Sequence, residues 1–261
     1  MTVQSESFLK IKNMVIASGL NQILETIDQE LAGFLRGIRY VEPLRATAQR
    51  YYRKQELAVD ELDSKGTNVA MYVDSLSQAD KDKLNRWLKH YFSVEILAKS
   101  EGGHIALSLK NEDSERSTNL ADLGVGFSQI IPIILQLWQA ASPNTKKNRS
   151  SKYLKHSCVI IEQPELHLHP AYQATIADVM VAALDNVKSV NRELSIIAET
   201  HSPHLINRLG ELVSEGKLSP NDVDVIMFED GSEAEESMVS VSRFDSQGVL
   251  TNWPYGFFEP N

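Results

Sequence analysis

Cys158-Val159-Ile160-Ile161-Glu162-Gln163-Pro164-Glu165-Leu166-His167-Leu168-His169-Pro170 decides how the chain is read. Its opening run is apolar and β-branched, which predicts a buried strand over Ser157–Glu162. An acidic residue closes that strand. Pro170 then opens a helix in which Ile176, Val179, Met180, Ala183 and Leu184 share one face. The pattern repeats downstream. Leu194–Glu199 is a second buried strand, and Ser202-Pro203 supplies a cap and a proline at the first helical position. Two further strands are expected over Asp222–Glu229 and Glu236–Phe244. Upstream, Phe127–Trp138 is apolar almost all round, which predicts a buried helix that tolerates Pro132 only in its first turn. Strands with apolar residues on both faces, alternating with helices, predict an α/β fold with a parallel or mixed sheet flanked by helices.

The first part of the chain reads differently. Leu20, Ile23, Leu24, Ile27 and Leu31 predict a helix over 18–36, and Arg39–Leu44 a short strand. Arg45–Gly66 is polar and charged, expected as loop with some helix. Ser77 caps a predicted helix over 78–91, whose Leu84, Trp87, Leu88 and Tyr91 form a core stripe. Val94–Ala98 and His104–Leu109 predict a hairpin turning at Glu101-Gly102-Gly103. The expected organisation is an N-terminal helical and hairpin region over 1–119 and an α/β lobe over 120–261.

The composition narrows the classes. The chain has 261 residues, 42% hydrophobic and 23% charged, which is ordinary for a globular protein with a real core. A net charge of −9 argues against a surface given over entirely to nucleic acid. A local basic cluster (Lys146, Lys147, Arg149, Lys152, Lys155) still leaves room for phosphate contact, and its ordinary reading is a solvated loop. The acidic run from Glu229 to Glu236 reads as a solvated hairpin tip. The single cysteine, Cys158, excludes an internal disulfide framework and a Cys-rich zinc site, and reads as a small buried apolar residue. No membrane span and no signal peptide are expected, which points to a cytoplasmic protein.

In open α/β sheets the site lies beyond the carboxyl ends of the strands. Three blocks stand there: Asp122-Leu123-Gly124-Val125-Gly126-Phe127-Ser128-Gln129 before the buried helix, Glu162 to Pro170, and Glu199-Thr200-His201-Ser202-Pro203-His204. A strand-end carboxylate suits Mg²⁺, which prefers hard oxygen ligands. A neighbouring histidine can reach a terminal phosphate. Glycines and a serine opening a helix offer backbone N–H groups to phosphate.

These blocks resemble the C-terminal half of ABC-class AAA ATPases of the OLD/RecF/SMC-like group, closest to bacterial predicted ATPases with a strand ending Glu-Gln-Pro-Glu and continuing to His-Leu-His-Pro. Arg39-Tyr40-Val41-Glu42-Pro43-Leu44-Arg45 and Trp253-Pro254-Tyr255-Gly256-Phe257-Phe258 resemble other parts of the same proteins. The resemblance implies a P-loop NTPase-like fold acting on ATP with Mg²⁺. Leu123 to Gly126 matches the signature loop, Val159 to Glu162 the Walker B strand, Leu166 to Pro170 the D-loop and His201 the switch histidine. It implies Glu162 on the metal; Gln163, Glu165 and His201 in catalysis; and Gly124, Gly126, Ser128 and His169 around the nucleotide. Gln163 stands where such proteins usually hold a catalytic glutamate, and a glutamine orients water without accepting its proton.

A P-loop requires Gly-x4-Gly-Lys-Ser/Thr after a strand, and these 261 residues contain none. Gly210 to Lys217 is a decoy with the wrong spacing. The phosphate-cradling half is therefore expected in a separate subunit, lost, or upstream of Met1. The implied partners are that P-loop-bearing segment or subunit, a homo- or hetero-oligomer, and DNA through a partner; the implied output is DNA repair or phage defence. Two alternatives remain at this point. One is a non-catalytic scaffold. The other is a metal-dependent hydrolase or nuclease built on Glu165, His167, His169, His201 and His204.

Overall fold

The computed structural model describes residues 6–55, 59, 61–112, 114, 116–142, 156–189, 192–229 and 238–253. Helix α1 (Glu6–Arg36) runs into β1 (Ile38–Val41). It is longer than the expected 18–36 because the apolar spacing continues back to Leu9, through residues that also favour helix. The segment 42–66 is the strap that links β1 to the next helix. It contains the two-residue strand β2 (Tyr52–Arg53) and, among its described residues, no helix. A short helix, α2 (Val69–Ser75), follows, which the sequence reading omitted.

Helix α3 (Gln78–Phe92) starts where Ser77 predicts, with the Ser77 hydroxyl accepting the Asp80 N–H. Leu84 and Leu88 are buried, and Trp87 and Tyr91 pack against the core. Strands β3 (Val94–Glu101) and β4 (His104–Asn111) form the expected hairpin. Gly102 and Gly103 both take positive φ, the geometry that a two-residue turn needs to match strand twist. β5 (Ser117–Asn119) pairs with β4.

The second sheet positions the site. Its strand order is β1-β6-β7, all parallel, with β6 at His156–Glu162 and β7 at Glu193–Glu199. β1, from the first part of the chain, therefore lies in the same sheet as the strands of the second. Val41, Val159 and Ile161 are buried on one face. On that face pack α4 (Val125–Ala141) and α5 (Pro170–Lys188), with α6 (Pro203–Ser214) against α5. Arg208 on α6 forms a forked pair with Asp178 on α5 at 2.7–3.1 Å. Tyr40, Ile160 and Ile197 form one cross-strand row on the opposite face. Tyr40 is 40% and Ile197 57% exposed, so no described element covers that face there. β7 pairs only with β6 among the described residues. The third sheet holds β8 (Val225–Glu229), β9 (Met238–Phe244) and β10 (Leu250–Thr251). β8 starts later than expected because Pro220–Asp222 forms a 3₁₀ turn.

Helix α4 corrects one expectation. Pro132 is its eighth residue, well past the first turn. Pro132 has no N–H to bond the Ser128 carbonyl, yet the helix persists because it is buried almost end to end. The strap compensates. Gln129 bonds both backbone groups of Arg45, and Gln136 donates to the Leu62 carbonyl. Gly66, at φ 72°, lies directly on the proline ring: a Cβ there would fall 2.5 Å from Pro132 Cγ. The decoy glycine Gly210 has a similar packing role, since a Cβ on it would meet the Gly248 carbonyl oxygen at 2.5 Å.

Gly66→Ala should therefore lower stability by about 2–4 kcal/mol, combining left-handed backbone strain with overpacking. Urea denaturation followed by circular dichroism checks this.

Candidate functional site

The site forms where β6 and β7 end. Parallel pairing sets Glu162 beside Glu199 in register, on the same open face as Ile160 and Ile197. Two carboxylates at adjacent strand ends form a hard-oxygen donor set. Tyr40, one strand over, donates its hydroxyl to Glu162 Oε1 at 2.5 Å. That bond, followed by burial and the nearby carboxylates, raises the Tyr40 phenol to about 12. Glu199 was not singled out by sequence reading. Its signal was available: it closes a buried strand in the same way as Glu162.

The turn after β6 is tightly held. Gln163 takes φ 42° and His167 φ 62°, unusual for residues with a Cβ. The Gln163 N–H donates to the Glu199 carbonyl at 2.9 Å. The Arg45 guanidinium donates to the Glu162 carbonyl at 3.2 Å and the Gln163 carbonyl at 3.1 Å. Arg45 is 4% exposed. Burial lowers its guanidinium to about 10, against the opposing pull of Glu165. Arg45 was quoted within a motif but given no role.

Glu165 ties the two strand-end loops together. One oxygen accepts the Thr200 hydroxyl and the other the His201 N–H, each at 2.7 Å. Thr200 then receives the Ser202 N–H, and the Ser202 hydroxyl donates to Gln173 and caps α6. With each oxygen accepting one hydrogen bond, Glu165 positions the His201 loop. His201 is exposed, with its backbone fixed by Glu165.

The glycine loop lies against the same turn. Gly124 caps α4 at φ 82°, and a Cβ on Gly126 would sit 3.3 Å from the His167 carbonyl oxygen. Arg50 anchors the approach by pairing with Asp122 at 2.6 Å. Ser128 is placed differently from expectation: it is buried, and its hydroxyl donates to the Val125 carbonyl at 2.7 Å. The helix interior thus uses the group that was expected at a phosphate. His169 caps α5, its Nδ1 accepting the Ala171 N–H at 3.3 Å. Cys158 is buried as expected, and burial raises its thiol.

The rival metal site does not assemble. Glu165 is spent on Thr200 and His201, and His169 on its helix. Among the described residues no group of three or more His, Cys, Asp or Glu is placed to hold a metal ion. Lys146 to Lys155, most of the acidic run and residues 254–258 lie outside the described residues. No described helix is long and apolar enough to cross a membrane.

A parallel sheet with carboxylates at its strand ends and a glycine-opened helix beside them matches what comparison with known proteins finds. The AAA ATPase domain family matches residues 3–206. The chain belongs to that family. Its α/β fold is P-loop NTPase-like, and the family is one of nucleotide-dependent enzymes. It is also similar to the Septu protein PtuA of Bacillus mycoides, at 22% identity over 196 residues. That match covers 74% of this chain but only 24% of PtuA, so the chain corresponds to about a quarter of that relative.

Two outcomes follow from this geometry. Glu162→Gln should bring the Tyr40 phenol down from about 12 toward its ordinary value, read as the difference in ultraviolet titration against Tyr40→Phe. Because the folded value is raised, the Tyr40–Glu162 bond contributes fully below about pH 10 and is lost as pH rises through 12. Arg45→Met should cost about 1–3 kcal/mol in urea unfolding, since the carbonyls of Glu42, Glu162 and Gln163 lose a charged donor.

Proposed function

We propose that this chain is the Walker B, D-loop and switch portion of an ABC-class AAA ATPase of the OLD/RecF/SMC-like group. In this reading residues 120–261 form the ATPase lobe, residues 1–119 its helical and hairpin region, and a P-loop-bearing segment or subunit completes the site. The observation that carries the reading is the Glu162–Glu199 carboxylate pair, in register at the strand ends on an open sheet face. Parallel sheets are normally covered on both faces. Here one face exposes Tyr40 and Ile197, and among the described residues nothing pairs with the outer edge of β7. A strand–loop–helix unit added beside β7 would pair that edge. It would also lay a helix over the open face and bring a phosphate-binding loop to Glu162. The short span relative to PtuA supports a missing segment.

The substrate in this reading is ATP. Glu162, with Glu199 beside it, would hold Mg²⁺, which supplies charge neutralisation for phosphoryl transfer. Gln163, fixed by Arg45 and Glu199, orients the attacking water. His201 faces the terminal phosphate. Gly124 and Gly126 present backbone N–H groups to nucleotide held on a second protomer, and His169 shapes the D-loop beside them. Ser128 is left out of the phosphate contacts in this reading, because its buried hydroxyl donates to the Val125 carbonyl. The coupled process we propose is DNA repair or phage defence, with any DNA contact made through the partner.

One observation favours a second reading, a non-catalytic scaffold. A glutamine, Gln163, which cannot accept a proton, stands at the usual base position, and Glu165 is held by Thr200 and His201. Measuring Mg²⁺-dependent ATP turnover separates the two. The test compares the chain alone with the chain plus a P-loop-bearing ATPase segment or subunit supplied in trans. Turnover is expected only in the mixture, falling at least about a hundredfold with Glu162→Gln. No turnover in either sample overturns the enzyme reading and leaves the scaffold.

A further inference from the structure

Helix α1 is 31 residues long and buries none of them. Leu9, Ile16, Leu20, Ile23, Leu24, Ile27 and Leu31 lie between 46% and 58% exposed. At about 100° per residue they fall, with Asn13 and Phe34, in one stripe about 100° wide, whereas Ile11, Met14 and Val15 lie outside it. An amphipathic helix gains most of its stability by packing its apolar face. The joint beneath it is tight: the Gly37 N–H bonds Gly33 and Phe34, and a Cβ on Gly37 would meet the His156 carbonyl oxygen at 2.6 Å. The helix is thus an arm rooted at the start of β1, with an apolar face that no described element covers.

The sequence along the arm selects its occupant. The central line Leu9, Asn13, Ile16, Leu20, Leu24, Ile27, Leu31 is spaced 4, 3, 4, 4, 3, 4, which reads the same in both directions about Leu20. An isologous interface needs that self-complementarity. The charges are not symmetric. Between the end residues Glu6 and Arg36, Lys10 and Lys12 lie in the N-terminal half, and Glu25, Asp28 and Glu30 in the C-terminal half. Lys10 and Asp28 flank the stripe on one side, Lys12 and Glu30 on the other. In an antiparallel pair related by a two-fold axis, like flanks face each other. With Leu20 on the axis, Lys10 meets Asp28 of the second copy, and Lys12 meets its Glu30. A parallel pair sets the basic halves together and the acidic halves together. Lys10 also pairs with Glu6 on its own helix at 3.1 Å, an exposed contact that yields readily.

We propose that α1 is a homodimer seam: a second copy of this chain docks its α1 antiparallel along the stripe, with Leu20 on the two-fold axis. The seam from Leu9 to Leu31 is about 33 Å long, which is ample for a two-stranded antiparallel coil.

Analytical ultracentrifugation of the full chain over a range of concentrations tests this. A concentration-dependent dimer is expected. Leu20→Asp places two carboxylates together on the axis and should weaken it at least a hundredfold, with the circular dichroism of the remainder retained. Lys10→Glu with Lys12→Glu should weaken it about tenfold, and adding Asp28→Lys with Glu30→Lys should restore it. Orientation is read in a Cys158→Ser background under a mild thiol oxidant. Leu20→Cys should link to itself across the axis, whereas Leu9→Cys, about 33 Å from its symmetry mate, should not. A chain that stays monomeric, a dimer indifferent to Leu20→Asp, or self-linking of Leu9→Cys would each overturn the proposal.

Discussion

The buried Arg45 guanidinium is the contact on which the site depends. It lies on the strap, far along the chain from the residues it holds, and donates to the carbonyls of Glu162 and Gln163. Gln163 turns the chain there through a positive φ, and carbonyls shut off from water need donors. Gln129 fixes the Arg45 backbone from α4, so strap, helix and strand-end turn become one unit. Glu165 extends that unit to β7 through Thr200 and His201. The result is a pair of strand ends whose carboxylates sit on a preorganised backbone. A site built on fixed turns keeps charged groups oriented without reorganisation when charge arrives, which is the main requirement for handling phosphate.

Legibility in the sequence followed the range of the interaction. Local signals read well: Ser77 and Ser202 cap the helices expected of them, Pro170 opens α5, and Gly102-Gly103 turns the hairpin. The parallel α/β arrangement was legible because two apolar strands ended in acids and were followed by capped helices. What escaped was set by distance. The role of Arg45 depends on partners more than a hundred residues away, and no spacing rule reports such a contact. Pro132 sits deep in α4 because burial and a matching glycine at 66 outweigh the lost hydrogen bond. Propensity alone reverses that judgement. Ser128 looked like a phosphate ligand from its place near the helix start. The actual register of α4 turns it inward, and element boundaries are what a single sequence specifies least.

Two of the exposed apolar features among the described residues, the open sheet face and the α1 stripe, differ in kind. The open sheet face is continuous with the carboxylate pair. Whatever covers it also changes the dielectric around Glu162 and Glu199 and the freedom of Tyr40. In the proposed mechanism, covering this face is coupled to chemistry, because carboxylates exert stronger fields once water is displaced. The α1 stripe lies away from the strand ends on a helix whose root is pinned at Gly37. Pairing there leaves the site's dielectric unchanged and instead fixes how two copies are arranged. The glycine loop at Gly124 and Gly126 makes that arrangement consequential, since in the proposed mechanism it meets nucleotide held by another protomer. A seam that sets the spacing of two copies therefore limits which loops can meet which sites, and an antiparallel helix pair imposes two-fold symmetry on that choice.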